Sequence, residues 1–493
     1  MNILSLDIGT TNLRGIVYNA QGEQLASHAV SLPPALEGGR FEQRPQAYVE
    51  GVTEVCRQVA SRVQVDAIAL TAFRSSPTLV DKQGEPLCNF ILWQDTRCAQ
   101  ICQRLRAQDD WVYAKTGSVV NTVFAAPKVT WLRENNPDLY ARSYKMMVVP
   151  DYLLHKLTGA FVTDYTYGSR TSLMDIHTCQ WDSELCRLFA IDQQKLCRLV
   201  APGSVVGPLL PRFASTTGLS VGIPVISAGG DQQCGALGMG VLDASAMEVN
   251  CGTGSFLLSI TDELRLDNKA VLCNIAAIPG FYVREINALA CASCVDWLLR
   301  SFFPELNGAS PDYATLNRLA ASAPPGAHGL YCLPHFAGCG ARDWNPEAKA
   351  AFWGLTLASS RSDIVRALYE GLAAEIVKGA ILLDADRKQA LTVSGGLSRS
   401  EPFCQILCDM AQRPLRRCRT PQATAFGAFL SACVALGVYP SFQAAVHATN
   451  AAAAEERLLP NAQNAALYQT YLKETEAVYR ALNGTPCVTP DAI

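Results

Sequence analysis

The sequence predicts an α/β protein built as two comparable halves, 1–245 and 246–493. Three observations carry that reading: a composition suited to large cores, a strand–Gly/Thr turn–strand unit in each half, and alternating strands and helices through the second half. Of the 493 residues, 49% are hydrophobic and 17% charged, which excludes a disordered chain or a small stapled scaffold. Lys and Arg total 41 against 44 Asp and Glu, a net charge of −3, so no global basic field points to nucleic acid or an anionic membrane. The start, MNILSLDIGTTNLRG, has no basic flank leading into an apolar stretch, and nowhere do about 18 apolar residues run uninterrupted. A cytoplasmic chain without signal peptide or membrane span is therefore expected. The 19 cysteines are scattered without framework spacing and are read as reduced, mostly buried thiols.

Taken in order, Leu4, Leu6 and Ile8 alternate as a strand, Gly9, Thr10 and Thr11 break it, and Arg14 to Tyr18 returns toward a turn at Gln21-Gly22. Val65 to Thr71 is a further strand, and 122–135 and 151–158 have helical apolar spacing. The Pro- and Gly-rich stretch 201–224 reads as irregular chain feeding a strand, Pro224 to Ala228, which ends at Gly229-Gly230-Asp231. Glu248 to Cys251, a turn at Gly252-Thr253-Gly254, and Phe256 to Ile260 repeat the opening unit in form, though not in sequence. Asp363 to Leu383 is the clearest helix: Ile364, Leu368, Leu372, Ile376 and Ala380 recur every four residues, with Ser362 as its cap. Leu391 to Ser394 is a strand ending at Gly395-Gly396. The Ala-rich stretch near 444–454 reads as surface helix and the tail 483–493 as frayed.

An acid at a strand end followed by a Gly/Thr turn, as in Asp7 to Arg14, suits a hydrated Mg²⁺ and a phosphate held by backbone N–H and hydroxyl groups. The competing reading is an ordinary hairpin turn; a Walker A loop is excluded because no Gly-Lys-Ser/Thr follows. Cys251-Gly252-Thr253-Gly254-Ser255 is a second such turn, and the pair suggests a nucleotide clamped between two domains. Asp231, after two glycines at a strand end, suits a general base, or else caps the segment Gln232–Gly238. Arg74, Trp93, Asp95 and Arg97 combine an aromatic with guanidinium groups, as a polyhydroxylated ligand requires; a core Trp and a surface Arg are the plainer alternative. Cys291-Ala292-Ser293-Cys294, and Cys332 with His335 and Cys339, lack a partner pair at zinc spacing, so core packing is expected there.

As an ordered set these segments resemble the FGGY carbohydrate kinases, within the actin/Hsp70/hexokinase ATPase superfamily. Asp7 to Arg14 is similar to that family's first phosphate loop, and Ala72-Phe73-Arg74 and Ile91 to Asp95 to its sugar segments. Lys128 to Leu132 resembles its first signature, with Ala125 departing from it. Thr163 to Thr166 and Ser169-Arg170-Thr171 are similar to a glycerol-kinase-like stretch, and Gly230-Asp231-Gln232 to the catalytic-base loop. Leu333 to Gly338, Trp344-Asn345-Pro346 and Phe352 to Leu355 leading to Glu370 resemble the second signature, and Ser394-Gly395-Gly396 with Ala423 to Ala428 the adenosine segments. The resemblance implies two actin-like, ribonuclease-H-like domains flanking an ATP and substrate cleft. It implies ATP on Thr10, Thr11, Asn12, Arg14, Gly252, Thr253, Gly254, Gly395 and Gly396, and Mg²⁺ at Asp7 and Asp231. A small sugar or polyol would lie on Arg74, Ser75, Trp93, Asp231 and Gln232, with Asp231 as general base. Homodimers or homotetramers are implied too, and no sequence feature selects between them.

Within the family the chain looks closer to the glycerol-kinase-like branch than to the xylulokinases, but Ser75 stands where glycerol kinases carry a Glu and Val123 where they use a Tyr. Losing both polar partners predicts a different or larger polyol or ketose rather than glycerol. The main competing reading is a regulatory or chaperone-like ATPase of the same superfamily without sugar transfer. A cysteine-based redox or metal protein and a degenerate, sugar-binding-only kinase are weaker alternatives.

Overall fold

The computed structural model describes all residues except 38–39, 309–310, 346, 385, 387, 419–421, 450–455 and 485–493. Pro346, part of the expected Ala-rich helix and nearly all of the tail 483–493 therefore lie outside the described residues.

Two mixed sheets dominate. In the first half, β1 (Asn2–Ile8), β2 (Asn12–Asn19), β3 (Gln24–Ser31), β4 (Ala67–Ala72), β5 (Ser204–Pro208) and β6 (Pro224–Gly230) lie in the order β5-β6-β4-β1-β2-β3. In the second, β7 (Ala246–Cys251), β8 (Ser255–Thr261), β9 (Leu272–Ile275), β10 (Tyr282–Ala288), β11 (Ala390–Ser394), β12 (Leu415–Arg417) and β13 (Glu456–Leu458) lie in the order β9-β10-β8-β7-β11-β12-β13. The two cores are the same construction. In each, the first strand pairs antiparallel with the second, the second antiparallel with the next beyond it, and the first parallel with a later strand that has another parallel strand outside it. The faint repeat of a strand–turn–strand unit thus extends to the whole sheet.

Period-two alternation decides which side chains share a sheet face. Leu4, Leu6 and Ile8 point into a core with the helix α1 (Pro45–Ala60) and the helix Val149–Thr158. Ile3, Ser5 and Asp7 occupy the other face of β1. Likewise Met247, Val249 and Cys251 of β7 and Ile286 of β10 enter the core around the long helix α3 (Arg361–Leu383), so Glu248 and Glu285 lie on the opposite face. Short hydrophobic parallel strands such as β4, buried along its whole length, need cover on both sides. The second cover is α4 (Ala423–Ala435), from the second half of the chain, which packs on Ile3, Ile16, Ala67, Ala69, Ile226 and Ala228. It crosses α2 (Asp231–Gly238) at very short range. A Cβ on Gly427 would stand 1.8 Å from Cys234 O, and one on Gly238 1.9 Å from Ala423 O, so only glycine fits at the crossing. The resemblance implies an adenosine role for Ala423 to Ala428; what the fold shows of this stretch is a strut that braces the helix beginning at Asp231.

Three local expectations are corrected. The stretch 201–224 is not irregular throughout: it holds β5 and the helix Pro211–Thr217, where Pro211 starts the helix and Gly218, at φ 78°, ends it. The long helix is capped by Ser360, not Ser362: Ser360 Oγ accepts from Asp363 N, and the Asp363 carboxylate accepts from Ser360 N, a capping box. The helix Phe442–Ala448 is not purely surface, since Phe442, Ala445 and Val446 are buried.

Candidate functional site

The first turn is tight because Gly9 N donates to Asn12 O at 2.9 Å, and a Cβ on Gly9 would meet that oxygen at 2.8 Å. Thr11 and Asn12 are exposed at its tip, and Arg14 pairs across the hairpin with Asp7. Asp7 is the centre of an electrostatic conflict. Burial and the nearby Asp231 charge push its carboxyl up to about 7, against the pull of Arg14. Asp231 is also raised, chiefly by burial, and is held down by Arg74. It is the first residue of α2; Gly230 occupies the cap position, so the reading of Asp231 as a helix cap is corrected. Its carboxylate accepts from Gln232 N at 2.8 Å.

Arg74 joins the two halves. Its Nε stands 3.5 Å from Asp231 Oδ1, while its two terminal nitrogens reach Glu285 Oε2 at 3.1 Å and Oε1 at 3.4 Å. Glu285 is also 3.6 Å from Arg170, and Asn274 both donates to Glu285 at 3.4 Å and accepts from Arg170 at 3.3 Å. The two guanidinium groups hold the Glu285 carboxyl below its ordinary range despite burial. Arg74 lies so close to the chain that a Cβ on Gly230 would come within 2.9 Å of its Cδ, which explains the second glycine of the Gly-Gly-Asp turn. Ser75 takes a left-handed φ of 70°, and its hydroxyl donates to Arg170 O at 3.3 Å. Glu285, Arg170 and Asn274 carry no local sequence signal as a group; pairing of β9 with β10 brings Asn274 beside Glu285, and the helical turn Ser169–Thr171 brings Arg170 to both.

A buried scaffold stands behind Asp231. Tyr167 accepts from Ala72 N at 3.1 Å and donates to Gly229 O at 2.7 Å, Thr71 donates to the same oxygen at 2.8 Å, and Gly230 N donates to Thr166 Oγ1 at 2.8 Å. Thr166 and Ser227 donate to Asp164, whose carboxyl burial pushes up to about 6. The Thr163–Thr166 stretch thus acts through the backbone of the Gly-Gly-Asp turn. Gln232 and Gln233 keep buried side-chain oxygens without a partner. So does Glu248, whose carboxyl burial pushes well up.

Trp93 is 37% exposed, not a core residue, and its Nε1 donates to Thr10 Oγ1 at 3.1 Å, tying its segment to the first turn. Lys128 is buried and donates to Trp93 O at 3.5 Å, Val123 O at 3.0 Å and Thr122 O; burial pushes its ammonium down to about 8. Asp95 and Arg97 do not join Arg74. They pair with each other at 2.8 Å, Arg97 also reaches Glu42 at 2.7 Å, and Asp95 accepts from Phe41 N, which makes them a brace.

The second turn is pinned from outside: Cys291 N donates to Thr253 O at 2.7 Å and Ala292 N to Gly252 O at 2.9 Å, leaving Thr253 exposed. Gly254 lies against Ala288 O, 2.8 Å from where a Cβ would be. Gly395, at φ 87°, packs on Cys251 O and Gly396 is open to solvent, so the third glycine turn adjoins the second. Cys291 and Cys294 are buried as core residues. His335 and Cys339, however, meet Glu375, and Cys332 does not join them.

A doubled sheet of this order, with a buried charged cluster joining its two halves, defines a two-domain α/β fold. The FGGY family of carbohydrate kinases matches by its N-terminal domain over residues 2–238 and its C-terminal domain over 247–436. The chain is 28% identical to the xylulose kinase of Escherichia coli K12, over 97% of this chain and 99% of that one. It is 31% identical to the glycerol kinase of Rhodospirillum rubrum, over 89% and 91% respectively. The fold superposes on the ligand-bound xylulose kinase of Lactobacillus acidophilus with a TM-score of 0.92 at 22% identity, covering 98% and 99% of the two chains. The gluconate kinase of the same organism gives 0.91 at 23% identity, covering 98% of each. The chain belongs to the FGGY family and is a carbohydrate kinase. No helix among the described residues is long and apolar enough to cross a membrane.

Proposed function

We propose that the protein transfers the γ-phosphoryl group of Mg-ATP to a hydroxyl of a polyol or ketose other than glycerol, with Asp231 as general base. The observation that carries this reading is the Arg74 guanidinium, which contacts Asp231 from one half and Glu285 from the other. A carboxylate so placed is oriented by charge, and its raised pKa improves it as a proton acceptor. Trp93, fixed through Thr10 and Lys128, offers an aromatic wall to a sugar, and the unpartnered Gln232 oxygen is an acceptor for a substrate hydroxyl. Val123 and the committed Ser75 hydroxyl leave a short triol poorly matched.

The acidic pair fits a divalent cation. The Asp231 charge adds to the cost of burying an ionised Asp7, which a cation relieves. Bound there with the nucleotide, Mg²⁺ would supply neutralisation of phosphate charge. Thr10, Thr11, Asn12 and Arg14 on one side, and Gly252, Thr253, Gly254, Gly395 and Gly396 on the other, present backbone and hydroxyl groups to the phosphates and adenosine. Arg74 holds the acceptor end of the cleft together across the two halves, and closure would exclude water.

The test is coupled ADP release with Mg-ATP across glycerol, xylulose, gluconate and a panel of pentitols, hexitols and ketoses. Strong stimulation by one polyol or ketose, with glycerol far weaker in kcat/KM, is expected. ATP turnover that no member stimulates would favour the regulatory ATPase reading, and glycerol matching the best sugar would overturn the substrate reading.

A further inference from the structure

His335, Cys339 and Glu375 gather in the second half, at a void that also touches Ser255 and Cys291 beside the second turn. One ligand atom from each lies within 4.8 Å of the others. The chain makes this cluster by design of its turns. Gly338 adopts φ 88° and donates its N–H to His335 O at 3.3 Å, which folds Cys339 back beneath His335. Glu375 comes from the interior of α3, between Gly371 and Gly379 on the same helix face, four residues away on each side. A Cβ on Gly371 would stand 2.4 Å from Cys332 O, and one on Gly379 3.2 Å from an Ile286 methyl, so the glycines let the loop and β10 close on Glu375. The His335 ring is held edge-on to Tyr479, with centroids 4.9 Å apart.

A second observation points to a ligand. His335 is 4% exposed, yet its Nε2 has no hydrogen-bond partner and is 3.9 Å from Glu375 Oε1, too long for a hydrogen bond. His335, Cys339, Glu375 and Arg342 border a void of about 20 Å³, room for a water or an ion but not for an organic ligand. The surrounding charges are mixed. Arg342 is 3.3 Å from Glu375 Oε2, Lys378 reaches Oε1 at 3.2 Å and Glu476 at 3.3 Å, and Arg480 pairs with Glu476 at 3.2 Å. Tyr479 donates to Asp343. Arg342 also donates to Oε1 at 3.5 Å, so two cations hold that oxygen; both have Glu476 as an alternative partner, at 2.9 Å for Arg342 and 3.3 Å for Lys378, and a cation at Oε1 would displace them toward it.

We propose that His335 Nε2, Cys339 Sγ and Glu375 Oε1 form a three-ligand site for a zinc-type divalent transition metal, with the fourth position open to the void. One imidazole, one thiolate and one carboxylate suit a borderline-soft ion and not Mg²⁺ or Ca²⁺. The bound ion would clamp the 334–344 loop to α3, beneath the strand that carries Glu285.

The test loads the purified full chain with Zn²⁺ or Co²⁺ and removes excess metal by gel filtration. One equivalent is expected. X-ray absorption of the zinc form should show one sulfur at about 2.3 Å and nitrogen and oxygen neighbours at about 2.0–2.2 Å. The cobalt form should show a thiolate charge-transfer band that Cys339→Ser abolishes and His335→Gln weakens by at least tenfold in affinity. Failure to retain metal, an all-sulfur shell from other cysteines, or a charge-transfer band that persists in Cys339→Ser would each overturn the proposal. The absorption measurement on the unmodified chain decides the matter if a variant does not fold.

Discussion

Asp7→Asn should make the metal-free protein more stable while abolishing phosphoryl transfer. In the folded chain, burial first and the Asp231 charge second push the Asp7 carboxyl from 3.8 to about 7. An acid whose folded pKa is raised holds its proton in the folded state after the unfolded chain has released it. Stability is therefore lost as pH rises from about 4 to about 7, and the full penalty persists above that. At about 1.4 kcal/mol per pH unit, the gap sets a ceiling of about 4 kcal/mol, lowered by the partial solvent contact of Asp7. Asn carries no such penalty. In urea unfolding without metal at pH 5, 6, 7 and 8, the variant's advantage should grow by up to about 2–3 kcal/mol between pH 5 and pH 8. Mg²⁺ should then stabilise the wild type at pH 8 and leave the variant unmoved. A difference flat across this pH range, or a variant less stable than wild type at pH 8, refutes the reasoning.

Other outcomes follow from single contacts. Gly427→Ala forces a methyl to within 1.8 Å of Cys234 O and should cost about 3 kcal/mol or more, read as a fall in the thermal midpoint or loss of soluble protein. Trp93→Phe keeps an aromatic wall but loses the bond to Thr10, so KM for the sugar should rise about five- to tenfold with KM for ATP little changed. Ser75→Gly relieves a φ of 70° and should be neutral or stabilising by up to about 1 kcal/mol, whereas Ser75→Val should destabilise; thermal unfolding separates the two.

What was readable in the sequence is what local chemistry writes down. Both Gly/Thr hairpins, the strand ending at Gly230 and the periodic helix ending at Leu383 follow from alternation, turn residues and four-residue spacing, and each appears close to its expected bounds. Arg74, Trp93, Asp231 and Asp7 were nameable because each sits at a strand end beside a turn. Glu285 was not, because the contact that gives it a role crosses 211 residues of chain; Arg170 stands in a stretch similar to the family's, but its partner Asn274, 104 residues away, was not visible. Asp95 and Arg97 looked like ligand contacts for want of a visible partner, and the fold supplies one in each other. His335 and Cys339 lacked a zinc spacing because their third companion, Glu375, comes from a distant helix. The strand and helix inside 201–224 were masked by prolines that start and border elements instead of abolishing them.

The most direct measurement of the central claim is single-turnover phosphoryl transfer by Asp231→Asn, with the best acceptor from the panel and Mg-ATP, alongside acceptor binding followed by Trp93 fluorescence. Transfer should fall by about 10²–10⁴-fold with acceptor affinity within a few-fold of wild type, as expected for loss of a positioned base. Transfer within about threefold of wild type, at unchanged affinity, would contradict Asp231 as the base and move the chemistry elsewhere in the cleft.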